Sequence, residues 1–396
     1  MYTAFTKQVD DPEAAAREIL EQLKPQENKL KNTIGIIHFF HEFVETDVCK
    51  AIADALPFDV AGCVSSYVGT TERYGDTAMS VTMLTGDDVS FSIRAIEDTN
   101  TKSVEQIADE LTRMCAELCA EEKPKLVMPF LQVGQHFTSD NLVDTVNALP
   151  DPFPLYGTIA FNINKEDDGT GNYTQFNGKI SSDMQVYVAF YGNIEPEFHV
   201  ITSFFDETLQ GGYATVTGAS ETVLESVDGM SALKYLMEQG IILASNNLSG
   251  LWTLPAILLY PNGTEIVHAF HGVVKGTESI WTTNFIKEGA KIKFAHLDGD
   301  KTVLSAEHLI KDLAKSNKNN LIMYSCIARS WSLGANFLSE AKKIAACAGE
   351  HRQTNNAPLN YSLAYSGGEI CPVWDKNGKM VNTVHHYTLV ACTFES

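Results

Sequence analysis

The sequence predicts an α/β protein in which mixed sheets carry helices on their faces. Continuous apolar runs, which are typical of buried parallel strands, alternate along the chain with amphipathic helical stretches. The order strand, helix, glycine-marked strand, loop and strand also recurs in three places. Because few residues match between the three copies, this recurrence predicts a repeated structural unit rather than a repeated sequence.

The chain is predicted to divide into an extension and two domains. Residues 1–31 form an N-terminal helical extension, whose amphipathic helix at 11–23 has Pro12 in its first turn. The domains that follow are predicted at residues 32–240 and 241–396. The boundary between them is placed in the Asn- and Ser-rich segment 239–250, because polar linkers commonly separate domains.

The first copy of the unit begins with a continuous apolar run. Its helix has apolar side chains at every fourth position and ends before Pro57. Residues 89–96 are predicted to pair with its closing strand across the turn at Gly86 and Asp87. The elements of this copy are a strand at 34–40, a helix at 45–56, a strand at 60–66 and a strand at 77–84.

The second and third copies show the same order. The second has a strand at 126–131, a helix at 139–149, a strand at 153–161 and a strand at 184–190. The third has a strand at 321–326, a helix at 337–347, a strand at 362–370 and a strand at 387–394. In the third copy a short polar loop is predicted between the glycine-marked strand and the closing strand.

Two local signals lie between the copies. Ser103, with Gln106 three residues later, is a capping box and predicts the start of a helix over residues 103–120. The turn residues 261–263 predict a β-hairpin between strands at 256–260 and 265–270.

Composition excludes several classes of function. The net charge of −21 disfavours binding to nucleic acids and to anionic membranes. None of the 8 cysteines forms a C-x-x-C pair, which argues against a zinc ribbon or a thioredoxin-type site. Most cysteines lie in apolar runs, as expected in a reducing compartment. With no apolar signal core at the N-terminus and no segment apolar enough to insert into a membrane, the chain is predicted to be cytoplasmic.

The candidate binding site lies at the C-terminal glycine pair. Gly367 and Gly368 end a strand and let other groups approach the backbone, and Glu369 follows directly. Arg329 comes three residues after Cys326 at the end of a buried strand, and its guanidinium matches a carboxylate. A ligand with both a carboxylate and an ammonium group would need an anion clamp and a cation acceptor, which Arg329 and Glu369 would supply. The alternatives are a structural ion pair of Arg329, for instance with Glu369, and a solvated Glu369 in a tight turn.

Further candidates end the first-copy strand. Ser65 and Ser66 are predicted to donate hydrogen bonds to a ligand, and Cys63 lies beside them. A hydrolase acting on a small amide or ester is an alternative function, with Cys63 or Cys326 as nucleophile. Such a nucleophile needs a base that no sequence signal supplies, so packing in the core is the simpler interpretation.

Two histidines open the predicted closing strand. His385 or His386 is an alternative candidate for a haem axial ligand. The simpler interpretation is one packed and one exposed histidine at a strand start. The pairs His38 with His41 and His268 with His271 have spacings that point to opposite faces of a strand, so no metal site is predicted.

A series of short motifs runs along nearly all of the chain from residue 32. The N-terminal motifs are residues 61–66, 77–84, 156–160, 176–183, 186–193, 216–217 and 224–233, and the C-terminal motifs are residues 325–329, 333–334, 368–370, Pro372 and 386–389. In their order and spacing, these motifs resemble the FIST sensory family. Departures are Ala328, where the family usually has glycine, and Tyr387, where it often has an asparagine-type residue.

The resemblance implies an intracellular sensory module that binds a small ligand, proposed for the family to be an amino acid or a derivative. Some relatives are said to bind haem and to sense nitric oxide, which makes a haem sensor an alternative. No output domain remains after the match, so a signal would pass to a separate partner such as a histidine kinase or a chemoreceptor. The ligand-binding residues proposed in this framework are Cys63, Ser65, Ser66, Cys326, Arg329, Gly367, Gly368, Glu369 and His386.

Overall fold

A computed structural model describes residues 1–132, 137–163, 171–204, 209–241, 254–313, 315, 318–355 and 359–395. Of the predicted domain boundary at 239–250, residues 239–241 are described and residues 242–250 lie outside the described residues. None of the helices within these ranges combines the length and the apolar character needed to cross a membrane.

The elements up to residue 192 are as follows. The first group is β1 (Tyr2–Thr6), α1 (Pro12–Leu23), α2 (Pro25–Asn28), β2 (Asn32–Phe39), α3 (Val48–Ala55), β3 (Val60–Val64), β4 (Val68–Thr70), β5 (Tyr74–Gly75), β6 (Met79–Gly86) and β7 (Val89–Glu97). The second group is α4 (Val104–Leu118), β8 (Leu126–Leu131), α5 (Ser139–Asn147), β9 (Gly157–Ile159), β10 (Thr174–Phe176), β11 (Lys179–Ser181) and β12 (Met184–Gly192).

The remaining elements run to the C-terminus. They begin with β13 (Glu197–Thr202), β14 (Leu209–Ser220), β15 (Val223–Val227), β16 (Met230–Ser231), α6 (Ala232–Glu238), β17 (Ala256–Leu259), β18 (Glu265–His268), β19 (Phe270–Val273), β20 (Ile280–Thr282) and β21 (Lys291–Ala295). They end with α7 (Gly299–Leu313), β22 (Asn320–Cys326), α8 (Ile327–Trp331), α9 (Ser339–Asn355), β23 (Asn360–Ser366), β24 (Glu369–Trp374), β25 (Met380–His385) and β26 (Thr388–Phe394).

Three six-stranded sheets share one central arrangement. Their strand orders are β1-β6-β2-β3-β10-β11, β25-β24-β9-β8-β12-β7 and β13-β26-β22-β23-β4-β5. In each sheet the first strand of the copy lies parallel to the second strand and antiparallel to the closing strand. The predicted α/β fold and its repeated unit are therefore confirmed.

The inner faces of the three sheets meet in one apolar core. This central cluster includes Ile36 of β2, Phe130 of β8 and Tyr324 of β22. Helices cover the outer faces: α1 and α3 pack on the first sheet, α4 and α5 on the second, and α7 and α9 on the third. Burial of apolar surface on both faces explains why the central strands are continuous apolar runs rather than alternating ones.

The N-terminal residues belong to the first unit. Strand β1 pairs antiparallel with β6 at the edge of the first sheet, and the buried face of α1 packs against the same sheet. The side chain of Asp11 caps α1 by accepting a hydrogen bond from the backbone N–H of Ala14.

The predicted pairing of residues 89–96 with the first closing strand is wrong. Strand β7 follows β6 directly, but it pairs along its whole length with β12 of the second sheet. The closing strand β6 already has β1 and β2 as neighbours in the first sheet. Because both edges of β6 are occupied, the chain after the turn at Gly86 joins the neighbouring sheet.

The predicted strand 362–370 is two strands in different sheets. The chain breaks at Gly367 and Gly368, and β24 then pairs antiparallel with β9 of the second sheet. The predicted polar loop before the closing strand instead contains β25, which forms a hairpin with β24. His385 therefore ends β25, and Tyr387, with φ of +58°, forms the turn into β26.

A fourth sheet forms a second lobe. Its path is β18-β17-β21-β14-β15-β20-β19, with β16 beside β15, and α6 packs against it. The predicted hairpin at 256–270 is confirmed as the antiparallel pair β17 and β18, and Gly263 occupies its turn with φ of +90°. This hairpin carries the second lobe against the second sheet, where β18 contacts β25.

Substitution of Gly62 tests the close contact between β3 and β2 in the first sheet. A Cβ at this position would lie 1.7 Å from the carbonyl oxygen of Ile37, and backbone cannot yield as a flexible side chain does. We expect Gly62→Ala to lower the free energy of unfolding by about 3 kcal/mol, measured by chemical denaturation. Gly349→Ala, at an exposed helical position with open space around it, should leave stability unchanged or slightly higher. Equal effects of the two substitutions would contradict this account.

Candidate functional site

The predicted serines and the third-copy strand end lie together. The hydroxyl oxygen of Ser65 is 2.8 Å from the carbonyl oxygen of Tyr365, and the backbone N–H of Tyr365 donates to that hydroxyl at 3.0 Å. The backbone N–H of Ser66 donates to the same carbonyl at 3.1 Å. Ser65 and Ser66 are buried, so their hydrogen bonds join two sheets rather than face solvent.

Gly367 and Gly368 allow the close approach of other groups to the backbone, as the sequence predicts. The N–H of Gly367 donates to the carbonyl oxygen of Ile159 at 3.0 Å. A Cβ at Gly368 would lie 2.9 Å from Cε1 of His386 and 3.1 Å from Cδ1 of Ile159. A side chain at position 368 would therefore displace groups of both the second and the third copy.

Arg329 is completely buried, and its ion-pair partner is Glu340, not Glu369. Its Nε donates to Glu340 at 2.9 Å, and its Nη2 donates to Ser305 Oγ at 2.9 Å. Ser325 completes the cluster by donating to the second oxygen of Glu340 at 2.7 Å. Because Arg329 lies in α8 and Glu340 in α9, the ion pair holds the two helices together. A ligand carboxylate would reach this guanidinium only by displacing Glu340.

Glu369 is a buried acceptor, and the predicted alternative of a solvated carboxylate is wrong. Its two oxygens accept hydrogen bonds from Ser366 and Thr388, each at 2.8 Å. Burial raises the pKa of Glu369 well above its usual range, although both hydroxyls and nearby Arg329 act in the opposite direction. The carboxyl group is therefore held mainly by its neighbours in the protein.

The two candidate nucleophiles are buried thiols. Burial raises the pKa of both Cys63 and Cys326, which favours the neutral thiol over the reactive thiolate. Sequence reasoning found no base for Cys63, but Nδ1 of His38 lies 3.8 Å from its sulfur. Burial lowers the pKa of His38 to about 3, so the imidazole does not supply a positive charge that would stabilise a thiolate.

Both candidate haem ligands are buried, so the predicted exposed histidine is wrong. Nε2 of His385 lies 2.6 Å from Thr383 Oγ1 and 3.1 Å from the carbonyl oxygen of Cys371. Burial lowers the pKa of His385 to about 4. The ring of His386 packs against Gly368. Both rings are thus buried among protein groups, and neither is exposed in the way that binding of a haem iron would require.

A cavity of about 340 Å³ lies where the second lobe meets the second sheet. Sequence reasoning missed it, because its walls come from four segments far apart in the chain. One wall is formed by α5 and β25, and the other by the β17–β18 hairpin and residues 284–287. The polar and charged lining residues are Asp140, Asp144, Asn147, Tyr260, Asn262, Thr264, His268, Asn284, Lys287, Asn382 and Thr383.

Asp140 is the buried carboxylate of this cavity. It lies in the first turn of α5, which begins with a capping box formed by Thr138 and Asn141. The amide nitrogen of Asn284 is 3.4 Å from each of its oxygens. Burial raises the pKa of Asp140 to about 7, and hydrogen bonds from the Phe285 backbone and Asn284 limit the rise. No spacing or motif in the sequence signals this environment.

Tyr260 and His268 line the opposite wall. The hydroxyl of Tyr260 donates to the carbonyl oxygen of Phe285 at 3.2 Å and lies 3.3 Å from Nε2 of His268. Burial lowers the pKa of His268 to about 3, so the imidazole is neutral. Its Nδ1 is buried without a hydrogen-bond partner among the described residues.

The cavity and the predicted residues are neighbours. Thr383 lines the cavity and contacts His385, and His385 is paired with Glu369 across β25 and β24. Glu369 therefore lies behind the wall formed by β25, and none of the predicted ligand-binding residues is among the described residues that line the cavity. Within the described ranges, no group of three or more His, Cys, Asp or Glu side chains is arranged to hold a metal ion.

The fold and the cavity define an α/β protein with a cavity between its second lobe and its second sheet. The family model of the FIST N domain matches residues 33–230, and that of the FIST C domain matches residues 231–372. The chain belongs to the FIST family, whose domains are associated with sensory signal transduction and small-ligand binding.

Other comparisons add no argument. No curated protein matches the chain. A solved structure, phosphoribosylformylglycinamidine synthase II from Thermotoga maritima, is similar at 8% identity and a TM-score of 0.20. That similarity covers 99% of this chain and 71% of the other, and the low TM-score means that it supports neither fold nor function.

Glu340→Gln tests the buried ion pair. The substitution leaves the Arg329 guanidinium buried with an uncharged partner, and we expect the free energy of unfolding to fall by about 3–5 kcal/mol in chemical denaturation. The control is Lys50→Met, which removes one partner of the exposed Lys50–Asp54 pair on α3 and should leave stability nearly unchanged. A small effect of Glu340→Gln would show that the pair does not hold α8 and α9.

Asp140→Asn tests the raised pKa of Asp140. Between pH 4 and 7 the unfolded chain ionises this carboxyl group while the folded protein keeps the proton, so rising pH lowers wild-type stability. The variant lacks this penalty. We expect its melting temperature to exceed that of the wild type by an amount that grows from pH 4 to pH 7 and then levels off. Asp109→Asn, at an exposed position on α4, should show no such trend.

Proposed function

We propose that this protein is a cytoplasmic sensory protein that binds an amino acid or a derivative without catalysis. It passes the signal to a separate protein, such as a histidine kinase or a chemoreceptor. The observation that carries the proposal is the cavity between α5 and β25 on one side and the β17–β18 hairpin on the other. Membership in a family associated with sensory ligand binding supports it.

The size and lining of the cavity suit a small polar molecule. Its volume of about 340 Å³ is at the lower end of the range for ligand pockets. Val143 and Ile266 supply apolar surface, and amide, hydroxyl and carboxylate groups converge on the same space. A few placed polar groups within an apolar wall are typical of sites that fix the orientation of a ligand.

The position of the cavity offers a route for a signal. A ligand that contacts both walls would favour the arrangement in which the β17–β18 hairpin lies against α5 and β25. Strand β25 continues to His385 and is paired with β24, so a shift of this wall would reach the third copy. Differential binding to two arrangements of the lobes is sufficient for a sensor and needs no chemical step.

The absence of catalysis in this proposal rests on the state of the candidate nucleophiles. Cys63 and Cys326 are buried away from the cavity lining, and burial raises the pKa of both thiols. Neither therefore has the exposed, electropositive surroundings that reactive cysteines need.

A thermal-shift panel of amino acids and their derivatives tests the proposal. A ligand at about a hundred times its Kd should stabilise the wild type by about 2.7 kcal/mol and raise the melting temperature. Ile266→Trp, which fills part of the cavity from the β17–β18 hairpin, should abolish the shift. Ile266→Val keeps the space open and should retain it.

The results of this panel distinguish an error in the position of the binding site from an error in the proposed function. A shift that survives Ile266→Trp would place the ligand elsewhere, for example in the open cleft beside Tyr67 and Trp331. The absence of a shift with every compound in the panel would contradict the ligand class. Turnover that is lost on thiol alkylation would contradict the proposal that the protein has no catalytic step.

A further inference from the structure

The charge distribution in the cavity is one-sided. Asp140 and Asp144 are one helical turn apart on α5, so both side chains lie on the same helix face, and both line the cavity. Among the described residues of the lining, Lys287 is the only cationic one, and it is exposed. Asp140 is therefore the buried charged group of this lining, whereas Asp144 and Lys287 are both exposed at its rim.

The opposite wall adds a hydrogen-bond acceptor. The Tyr260 hydroxyl has one proton and lies 3.2 Å from the carbonyl oxygen of Phe285 and 3.3 Å from Nε2 of His268. Both contacts are satisfied when the hydroxyl donates to Phe285 and accepts from a protonated Nε2. A neutral imidazole that is protonated at Nε2 has a bare acceptor at Nδ1. This Nδ1 is the buried atom for which the described residues provide no donor.

An occupant that supplies N–H donors and positive charge would complement this surface. A primary ammonium group has three donors and no acceptor. A Ca²⁺ or Mg²⁺ ion fits less well, because these ions take six or more oxygen ligands and the described lining supplies two carboxylates. For other metal ions, the described residues hold no group of three or more His, Cys, Asp or Glu side chains arranged as ligands. An anionic group would instead meet Asp140 and Asp144.

We propose that the group recognised in this cavity is a primary ammonium, bound by Asp140 and Asp144, and that a carboxylate on the ligand is not required. The inference rests on the proposed function, since it assigns the ligand chemistry of the same cavity. Amino acids and simple amines both carry this group. A carboxylate, where present, would lie near Lys287 at the rim and add affinity without deciding recognition.

The site would couple binding to pH. Asp140 must be ionised to hold an ammonium, and burial raises its pKa to about 7 in the free protein. The other titratable or charged groups of the cavity are Asp144 on α5, Tyr260 and His268 on the β17–β18 hairpin, and Lys287. Burial keeps Tyr260 and His268 neutral from pH 6 to 8. Affinity should therefore fall about tenfold between pH 8 and pH 6, with release of a proton on binding.

Isothermal titration calorimetry on the full chain tests this inference. The probes are the proteinogenic amino acids, the primary amines obtained by decarboxylating them, and their N-acetylated forms. We expect at least one amino acid and its amine to bind, with Kd values within about tenfold of each other. The matching N-acetyl compound, which has no ammonium, should bind at least about a hundredfold more weakly.

Two variants test whether the ammonium group of the ligand binds at Asp140. Asp140→Asn should reduce affinity for the amine at least about tenfold and remove the pH dependence, while remaining folded by its melting transition. Asp109→Asn, the same charge change on neighbouring α4, should leave affinity within about twofold. Should Asp140→Asn not fold, the pH dependence and the buffer-dependent heat of proton release in the wild type test the same point.

Failure of this inference is distinguishable from failure of the proposed function. An N-acetyl compound that binds as tightly as its amine, in a manner blocked by Ile266→Trp, would overturn the ammonium assignment but retain the ligand-binding cavity. Affinity that is constant from pH 6 to 8 would overturn the role of Asp140. If none of the probes binds the wild type, both the ammonium assignment and the proposed ligand class are wrong.

Discussion

The packing of three sheets around one apolar core is the constraint on which the rest of the structure depends. Each copy of the repeated unit sends a strand into a neighbouring sheet: β4 of the first copy lies in the third sheet, β7 and β24 lie in the second, and β13 lies in the third. The units are thus interlocked by backbone hydrogen bonds as well as by apolar contact. Within the first and second sheets, Gly62 and Gly157 allow the paired parallel strands to lie close together, because a Cβ at either would overlap a neighbouring carbonyl oxygen.

This interlocking explains where polar groups can act. At the strand ends of the core, Arg329, Glu340 and Glu369 are buried and use their hydrogen bonds on neighbouring protein groups. Such groups fix geometry, and a ligand would have to displace them. The cavity differs from these strand ends, because the second lobe contacts the second sheet but contributes no strand to it. There Asp140 is buried, and its partners are the Phe285 backbone and the more distant amide of Asn284. A bound cation would add a favourable charge interaction to these contacts.

Much of the fold could be predicted because its signals are local. The capping box at Ser103 and Gln106 begins α4, and the hairpin turn before Thr264 joins β17 and β18. The threefold order of elements was also visible, since burial on both faces makes the central strands continuously apolar. Predictions failed where a strand had to choose among distant partners, as β7 did in pairing with β12 rather than β6.

By itself, the sequence determined the class of fold, the family and the segments that end at the candidate residues. It singled out Ser65 and Gly367, and both make hydrogen bonds across neighbouring strand ends. Ser65 bonds to Tyr365, and Gly367 bonds to Ile159. Only the tertiary structure decided that Arg329 pairs with Glu340 and that Asp140 faces a cavity with Tyr260 and His268. The physical reason is that periodicity and capping depend on neighbours within a few residues. The environment of Asp140 depends on Asn284, which is 144 residues away in sequence. The ion pair of Arg329 with Glu340 joins residues only 11 apart, but it forms because α8 and α9 pack together in the folded chain.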